Sequence, residues 1–99
     1  NYVLDPGVGN WSPLRSLDND WVLCQNYERF SAFGRPVLAA VSRKSFIGNL
    51  VKKEPEDRLA GSLAVTMLLL QKGVSIVRTH DVPQTRDLIS VFERMVNRP

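Results

Sequence analysis

Residues 36–45 have the sequence PVLAAVSRKS, an apolar run that changes abruptly into polar and cationic residues. The run is short and does not alternate between apolar and polar positions, which is typical of a strand buried on both faces of a parallel sheet. We therefore predict a buried strand over residues 36–41. The residues directly after its carboxyl end are Ser42, Arg43, Lys44 and Ser45.

Two other segments repeat this pattern of an apolar run followed by polar residues. Residues 2–4 (YVL) are stopped by Asp5-Pro6-Gly7, and residues 74–77 (VSIV) are followed by RTHD at 78–81. Helical sequence comes after each of the strands. The resulting order βαβαβα predicts an α/β fold with parallel strands and right-handed crossovers.

The helices are predicted from their capping signals and apolar spacing. In chain order they run from Asp18 or Asp20 to about residue 34, over 45–50, over 54–73 and over 83–98. The third has acidic residues in its first turn and Gly73 at its carboxyl end, both of which are usual for a helix. Arg58 within it is expected to be structural, either pairing with Glu54 or bridging to another unit.

The spacing of the units is compatible with part of a TIM (β/α)8 barrel. Asp5 and Lys44 are 39 positions apart, and Lys44 and Arg78 are 34 apart. A barrel of about 250 residues with eight units uses roughly 31 residues for each unit. The chain therefore has the length of three such units, whereas a doubly wound open sheet with the same local order remains the alternative.

Composition narrows the class of protein. The chain has 99 residues, of which 43% are hydrophobic and 23% charged, which fits one globular domain or part of one. The net charge of +3 only mildly favours anionic ligands, and we expect neither nucleic acid nor a membrane as partner. Cys24 is the single cysteine, so an internal disulfide and a Cys/His zinc cluster are excluded. Because the chain begins directly with a predicted strand at Asn1, we expect a piece of a longer protein.

Reactive residues of α/β folds stand at the carboxyl ends of the parallel strands. Here those ends carry one acid, Asp5, and the potentially cationic residues Arg43, Lys44, Arg78 and His80. Each has a structural alternative, such as a turn, a solvated basic pair or a buried histidine. Together they predict a polyanionic ligand with a polar ring that donates hydrogen bonds to the acid.

Four segments resemble motifs of the dihydropteroate synthases, and together they span nearly the whole chain. LDPGVG at 4–9 resembles the DPGxG motif of that family, and SRKSFIG at 42–48 resembles SRKSxIG. RLAGSLA at 58–64 resembles the ERLxGSLA helix, with Asp57 in place of the usual Glu, and RTHDV at 78–82 resembles RxHDV.

The resemblance implies that residues 1–99 form the C-terminal portion, βαβαβα, of a single pterin-binding TIM-barrel domain. These enzymes condense 6-hydroxymethyl-7,8-dihydropterin diphosphate with p-aminobenzoate to give dihydropteroate and diphosphate in folate biosynthesis. The resemblance further implies a cytoplasmic homodimer that associates through its C-terminal helices, is assisted by Mg²⁺ and is a target of sulfonamides. The Mg²⁺ ligand is expected upstream of this chain, with no metal ligand within it.

The resemblance also implies roles for individual residues. Asp5 would accept hydrogen bonds from the pterin, Lys44 would reach a pterin ring acceptor, and Arg78 would stack over the ring. Arg78 and His80 would bind the diphosphate. Lys44, Arg78 and His80 are thus the expected catalytic residues.

The p-aminobenzoate site is expected around Ser45, the Lys44 stem and Trp11. Ser45 and the following helix would hold the carboxylate. Trp11 would supply the aromatic wall, although Asn10-Trp11-Ser12 replaces the Phe that usually follows DPGxG. Ser42 and Arg43 are expected to support the site. The alternatives are a pterin-dependent methyltransferase domain and a non-catalytic paralogue that keeps the dimerising helices.

Overall fold

The computed structural model describes residues 3–9 and 17–96. The helices are α1 (Leu17–Gln25), α2 (Glu28–Ser31), α3 (Ser45–Val51), α4 (Leu59–Gln71) and α5 (Val82–Val96), and a 3-10 turn covers Pro55–Asp57. The strands are β1 (Leu38–Ala39) and β2 (Ile76–Val77). The order of strands and helices predicted from the sequence is confirmed, but the strands are shorter than predicted. The segments 36–41 and 74–77 are reduced to β1 and β2, and the first segment contributes a single bridge at Leu4.

The three predicted strand segments lie side by side in the order of the sequence. β1 and β2 are parallel, with Leu38 opposite Ile76 and Ala39 opposite Val77. Leu4 forms a parallel bridge to Val37, on the other side of the second segment. The carboxyl ends of all three segments therefore lie at one edge of the sheet, as parallel pairing requires.

The core lies between this sheet and the helices. Its most deeply buried side chains are Tyr27, Val37, Ala39, Val41, Phe46, Ile47 and Leu69. Trp21 of α1 packs edge-on against Phe46 of α3, with ring centroids 4.7 Å apart. The buried Tyr27, in the turn between α1 and α2, donates a hydrogen bond of 2.8 Å from its hydroxyl to the Leu38 carbonyl of β1.

Two predicted helix boundaries were wrong. The first predicted helix is divided into α1 and α2 by a turn at residues 26 and 27, before the chain reaches Gly34 at φ +70°. Glu54–Asp57 do not begin α4; Pro55–Asp57 form a separate 3-10 turn, which ends where Arg58 leaves helical geometry at φ −97° and ψ 16°. The acidic residues therefore belong to the 3-10 turn, and the first turn of α4 has none.

Candidate active site

A cavity of about 320 Å³ opens at the carboxyl edge of the sheet. Its lining residues are Ala40, Ser42, Lys44, Arg78, Thr79 and His80. They come from the loops that follow β1 and β2, so the parallel register brings them together. The structure thus places the three residues predicted to be catalytic, Lys44, Arg78 and His80, around one space.

Arg78 is positioned by the end of β2. Its backbone N–H donates a hydrogen bond of 2.9 Å to the Ala39 carbonyl, which continues the ladder by one residue. Its side chain is exposed. Among the described residues no carboxylate forms an ion pair with Arg78 or with Lys44. Both cations are therefore available to an anion in the cavity.

Ser42 joins the two loops through its hydroxyl. Ser42 Oγ accepts a hydrogen bond of 3.1 Å from the His80 backbone N–H, and it lies 3.0 Å from the imidazole Nδ1 of the same residue. The Thr79 hydroxyl donates to Ser42 Oγ over 3.3 Å. Ser42 is buried, with 7% of its surface exposed, whereas His80 is exposed at the cavity.

Arg43 forms a second link between the loops. Its Nη2 and Nε donate to the two carboxylate oxygens of Asp81, over 2.7 and 3.2 Å. This bidentate contact raises the pKa of Arg43 and lowers the pKa of Asp81, in both cases mainly through the hydrogen bonds between them. Arg43 therefore turns toward Asp81 and is absent from the lining of the cavity.

The backbone of Arg43 is also held from both sides. The residue has φ +58°, a left-handed conformation that non-glycine residues adopt uncommonly. Its N–H donates to Ser62 Oγ over 2.8 Å, and its carbonyl accepts from Arg58 Nη1 over 2.9 Å. Arg58 also donates from Nε to the Lys53 carbonyl. Arg58 is therefore structural, as expected, but its partners are carbonyl groups of its own βα unit rather than Glu54 or another unit.

The loop after the first strand segment contacts the Lys44 side chain through Gly9. Gly9 has φ +78°, and a Cβ at this position would lie 2.8 Å from Lys44 Cδ and 3.3 Å from Lys44 Cε. The lysine stem thus lies against the glycine backbone, where a side chain would displace it. Asp20 of α1 is buried and accepts a hydrogen bond of 3.1 Å from the Gly9 N–H, which fixes this loop.

The remaining predicted residues lie outside the cavity lining. Asp5 directly follows the first strand segment; it is exposed, and its Oδ1 accepts a local hydrogen bond of 3.0 Å from the Gly7 N–H. Ser45 is exposed as the first residue of α3. Trp11 lies outside the described residues.

Two carboxylates, Asp81 and Asp20, shape the site through partners that the sequence did not indicate. Asp81 stood within a recognised motif, yet only the structure shows its pairing with Arg43. Asp20, one of the two predicted helix caps, lies inside α1, and its Oδ1 accepts a hydrogen bond from the Gly9 N–H. Among residues 3–9 and 17–96, no group of three or more His, Cys, Asp or Glu side chains is arranged to hold a metal ion.

Residues 1–80 match the family model described as "Pterin binding enzyme". This chain belongs to the pterin-binding enzyme family. It is similar to the dihydropteroate synthase of Bacillus subtilis, with 39% identity over 99% of this chain and 33% of the relative. It is also similar to that of Haemophilus influenzae, with 38% identity over 98% of this chain and 34% of the relative.

Solved structures agree with this assignment. The dihydropteroate synthase of Coxiella burnetii, determined with pteroic acid, has a TM-score of 0.86 and 39% identity over 94% of this chain and 34% of that chain. The enzyme of Xanthomonas albilineans with 4-aminobenzoic acid has a TM-score of 0.88 and 38% identity over 98% of this chain and 35% of that chain. The chain spans about a third of the length of the relatives it matches.

The likeness decides between the two fold interpretations left open by the sequence. The βα units are a portion of a TIM barrel of this family, and the doubly wound open sheet is not supported. Within the described residues, the helices are too short or too polar to span a membrane.

Proposed function

We propose that the protein to which this chain belongs is a dihydropteroate synthase, which joins 6-hydroxymethyl-7,8-dihydropterin diphosphate to p-aminobenzoate. The observation that carries the proposal is the convergence of Lys44, Arg78 and His80 on one cavity at the carboxyl edge of the sheet. Lys44 and Arg78 form no ion pair with a carboxylate among the described residues, so their charges suit a diphosphate, whose negative charge rises as it leaves. The similarity to enzymes of that name supports the same activity.

The reaction is a substitution at the exocyclic methylene of the pterin. The bond from this carbon to the diphosphate oxygen breaks, and the electron pair leaves with the diphosphate. The aryl amine of p-aminobenzoate forms the new C–N bond and then loses a proton. Arg78 and His80 stabilise the departing oxygens, while Lys44 holds the pterin ring, so positioned positive charge supplies most of the catalysis.

The remaining substrate contacts belong to the same proposal. Asp5 binds the amino and ring N–H edge of the pterin through the carboxylate oxygen that does not accept from Gly7. Ser45, next to Lys44 and exposed, binds the p-aminobenzoate carboxylate, and Trp11 forms the aromatic wall of that site. Sulfonamides, which mimic p-aminobenzoate, are then expected to compete for the same position.

Mg²⁺ is proposed as a cofactor whose ligand residue lies upstream of this chain. Residues 3–9 and 17–96 do not by themselves form a site for the ion, because no three Asp, Glu, His or Cys side chains among them are close together. We therefore derive no catalytic step through the metal. Arg78 and His80 are the charge-stabilising groups that these residues supply.

Association as a homodimer in the cytoplasm is the last element of the proposal. Exposed apolar side chains on the two long helices support a contact between copies; they include Leu68 of α4 and Val91 and Met95 of α5. A groove of about 220 Å³ between α1 and α4 adds Trp21 and Val65 to this surface. Sedimentation of the full-length protein tests this part separately from activity.

Calorimetry and turnover assays on the full-length protein test the activity. We expect binding of the pterin diphosphate, followed by release of diphosphate when p-aminobenzoate is added. Absence of pterin diphosphate binding would contradict the proposal and leave a non-catalytic paralogue. Binding without turnover of p-aminobenzoate would instead place the difference at Asn10 and Trp11, where the sequence departs from the family motif.

A further inference from the structure

The hydroxyl groups behind the cavity form a chain that ends on the imidazole of His80. Thr85 Oγ1 donates to Thr79 Oγ1 over 3.1 Å, Thr79 Oγ1 donates to Ser42 Oγ over 3.3 Å, and Ser42 Oγ lies 3.0 Å from His80 Nδ1. Ser42 and Thr85 are buried, with 7% and 5% of their surfaces exposed. Water therefore has little access to compete for these hydrogen bonds.

Two backbone N–H groups each occupy one lone pair of a hydroxyl oxygen in this series of hydrogen bonds, because they can only donate. The Asp81 N–H donates to Thr79 Oγ1 over 3.0 Å, and the His80 N–H donates to Ser42 Oγ over 3.1 Å. A hydroxyl oxygen has two lone pairs and one hydrogen. Thr79 Oγ1 accepts from Asp81 and Thr85, so its own hydrogen is donated to Ser42.

The same accounting applies to Ser42. Its oxygen accepts from the His80 N–H and from the Thr79 hydroxyl, so both lone pairs are occupied. Its one hydrogen is therefore donated to His80 Nδ1, which must be unprotonated to accept it. In neutral imidazole one nitrogen is a donor and the other an acceptor, so the proton of His80 lies on Nε2.

The opposite direction is less favourable because of Thr85. If Ser42 donated to Thr79 and Thr79 to Thr85, the Thr85 hydrogen would need another acceptor. Within residues 3–9 and 17–96, Thr79 Oγ1 is the hydrogen-bond partner of the Thr85 hydroxyl. A buried hydroxyl hydrogen without an acceptor destabilises the folded state.

We propose that Ser42 is a positioning residue that fixes His80 as the Nε2–H tautomer, so that His80 presents an N–H donor to an anionic oxygen in the cavity. The other tautomer would present a lone pair at Nε2, which repels an anion. This inference rests on the proposed function for the identity of the anion, the departing diphosphate. The tautomer itself rests only on the hydrogen bonds.

The test is a ¹⁵N–¹H correlation spectrum of the imidazole groups of the full-length protein at alkaline pH, where the rings are neutral. His80→Gln identifies the signals of His80. We expect a single tautomer in the wild type, with Nδ1 unprotonated and Nε2 protonated. A proton on Nδ1 would overturn the proposal, and this measurement needs no variant of Ser42.

Substitutions then test the role of Ser42. Ser42→Ala is expected to give a mixture of tautomers and to lower kcat by about 10- to 100-fold, by analogy with the partners that orient metal-ligating histidines. Ser42→Thr, which keeps the hydroxyl, is expected to restore the single tautomer. Thr85→Val is the matched control. It removes the hydroxyl at the far end of the hydrogen-bond series but leaves the Ser42 hydroxyl that donates to His80, so the tautomer should stay unchanged.

The outcomes separate this inference from the proposed function. An unchanged Nε2–H tautomer in a folded Ser42→Ala variant would contradict the role of Ser42, whatever the activity. A wild-type protein with the expected tautomer that binds no pterin diphosphate would contradict the proposed function and leave the tautomer assignment intact. If Ser42→Ala does not fold, the wild-type spectrum still decides the direction of the hydrogen bonds.

Discussion

The loops after β1 and β2 each place an arginine at the same edge of the sheet, but the two side chains are held differently. Arg43 is bound at its backbone N–H, its carbonyl and its guanidinium, by Ser62, Arg58 and Asp81. Arg78 is anchored at its backbone, while its side chain faces the cavity. One arginine therefore maintains the geometry of the rim, and the other is left to bind a ligand.

This difference shows why basic residues at the same edge of the sheet need separate interpretations. The Asp81 carboxylate neutralises the charge of the Arg43 guanidinium through the bidentate contact, so Arg43 adds little positive potential to the cavity. Four predictions follow from the contrast, beginning with the arginine that faces the cavity.

Arg78→Ala in the full-length protein is expected to lower kcat/KM about 30- to 1000-fold, equivalent to about 2–4 kcal/mol of transition-state stabilisation. The unfolding midpoint should change little, since the side chain is exposed. Steady-state diphosphate release and thermal unfolding measure the two effects. Arg86→Ala, an exposed arginine on α5, is the matched control, and an equal loss of activity there would remove the distinction.

Gly48→Ala tests the support behind Arg43. A Cβ on Gly48 would collide with the Arg58 guanidinium, which hydrogen-bonds to the carbonyls of Lys53 and Arg43. We expect a loss of about 1–3 kcal/mol in the free energy of unfolding, typical of overpacking. Urea unfolding measures it. In an Arg58→Ala background the same substitution should cost less, and equal costs in both backgrounds would show that the collision is not the cause.

Arg43→Lys tests whether the fork geometry of the guanidinium is required. Lysine keeps the charge but cannot make the bidentate contact with Asp81. We expect a smaller loss of kcat than for Arg78→Ala, with little change in KM for the pterin diphosphate. Steady-state kinetics with both substrates measure this. A loss as large as that of Arg78→Ala would mean that Arg43 itself meets the substrate.

The pH dependence of stability gives the smallest effect. The Arg43 guanidinium lowers the pKa of Asp81 from its ordinary value of 3.8, mainly through their hydrogen bonds. The unfolded carboxyl then binds a proton at a higher pH than the folded one, so the pair contributes fully above about pH 4 and its contribution is lost as the pH falls below that. Urea unfolding from pH 6 to 3 should therefore show a steeper acid decline in the wild type than in Asp81→Asn. Parallel curves for the two proteins would contradict this linkage.

The fold was accessible from the sequence because strand burial and helix spacing are local signals. The apolar runs at 36–41 and 74–77 predicted two strands and the edge where Lys44, Arg78 and His80 meet. The break between α1 and α2 was missed, since the Tyr27 hydrogen bond to Leu38 at that turn is a tertiary contact. The 3-10 turn at Pro55–Asp57 was missed because its proline and acidic residues are equally typical of the first turn of an α-helix.

The candidate site could be predicted only in part, because several of its contacts depend on residues that are distant in sequence. Residue types at strand ends indicated an anionic ligand, but they did not separate Arg43 from Arg78. That separation depends on the left-handed backbone of Arg43 and on Asp81, which is 38 positions away in sequence. The direction of the Ser42 hydrogen bonds likewise depends on the buried hydroxyl of Thr85, which only the folded structure brings to Thr79.

The pairing of the strands has a practical consequence for handling these residues in isolation. In the part of the chain that the structure describes, β2 pairs with β1 alone, so its outer edge has no strand against it. Ile76 at that edge is 39% exposed. An open, apolar strand edge recruits strands from other molecules. Recombinant expression of this stretch by itself would therefore favour insoluble aggregates, and co-expression with a polypeptide that covers the edge would favour soluble material.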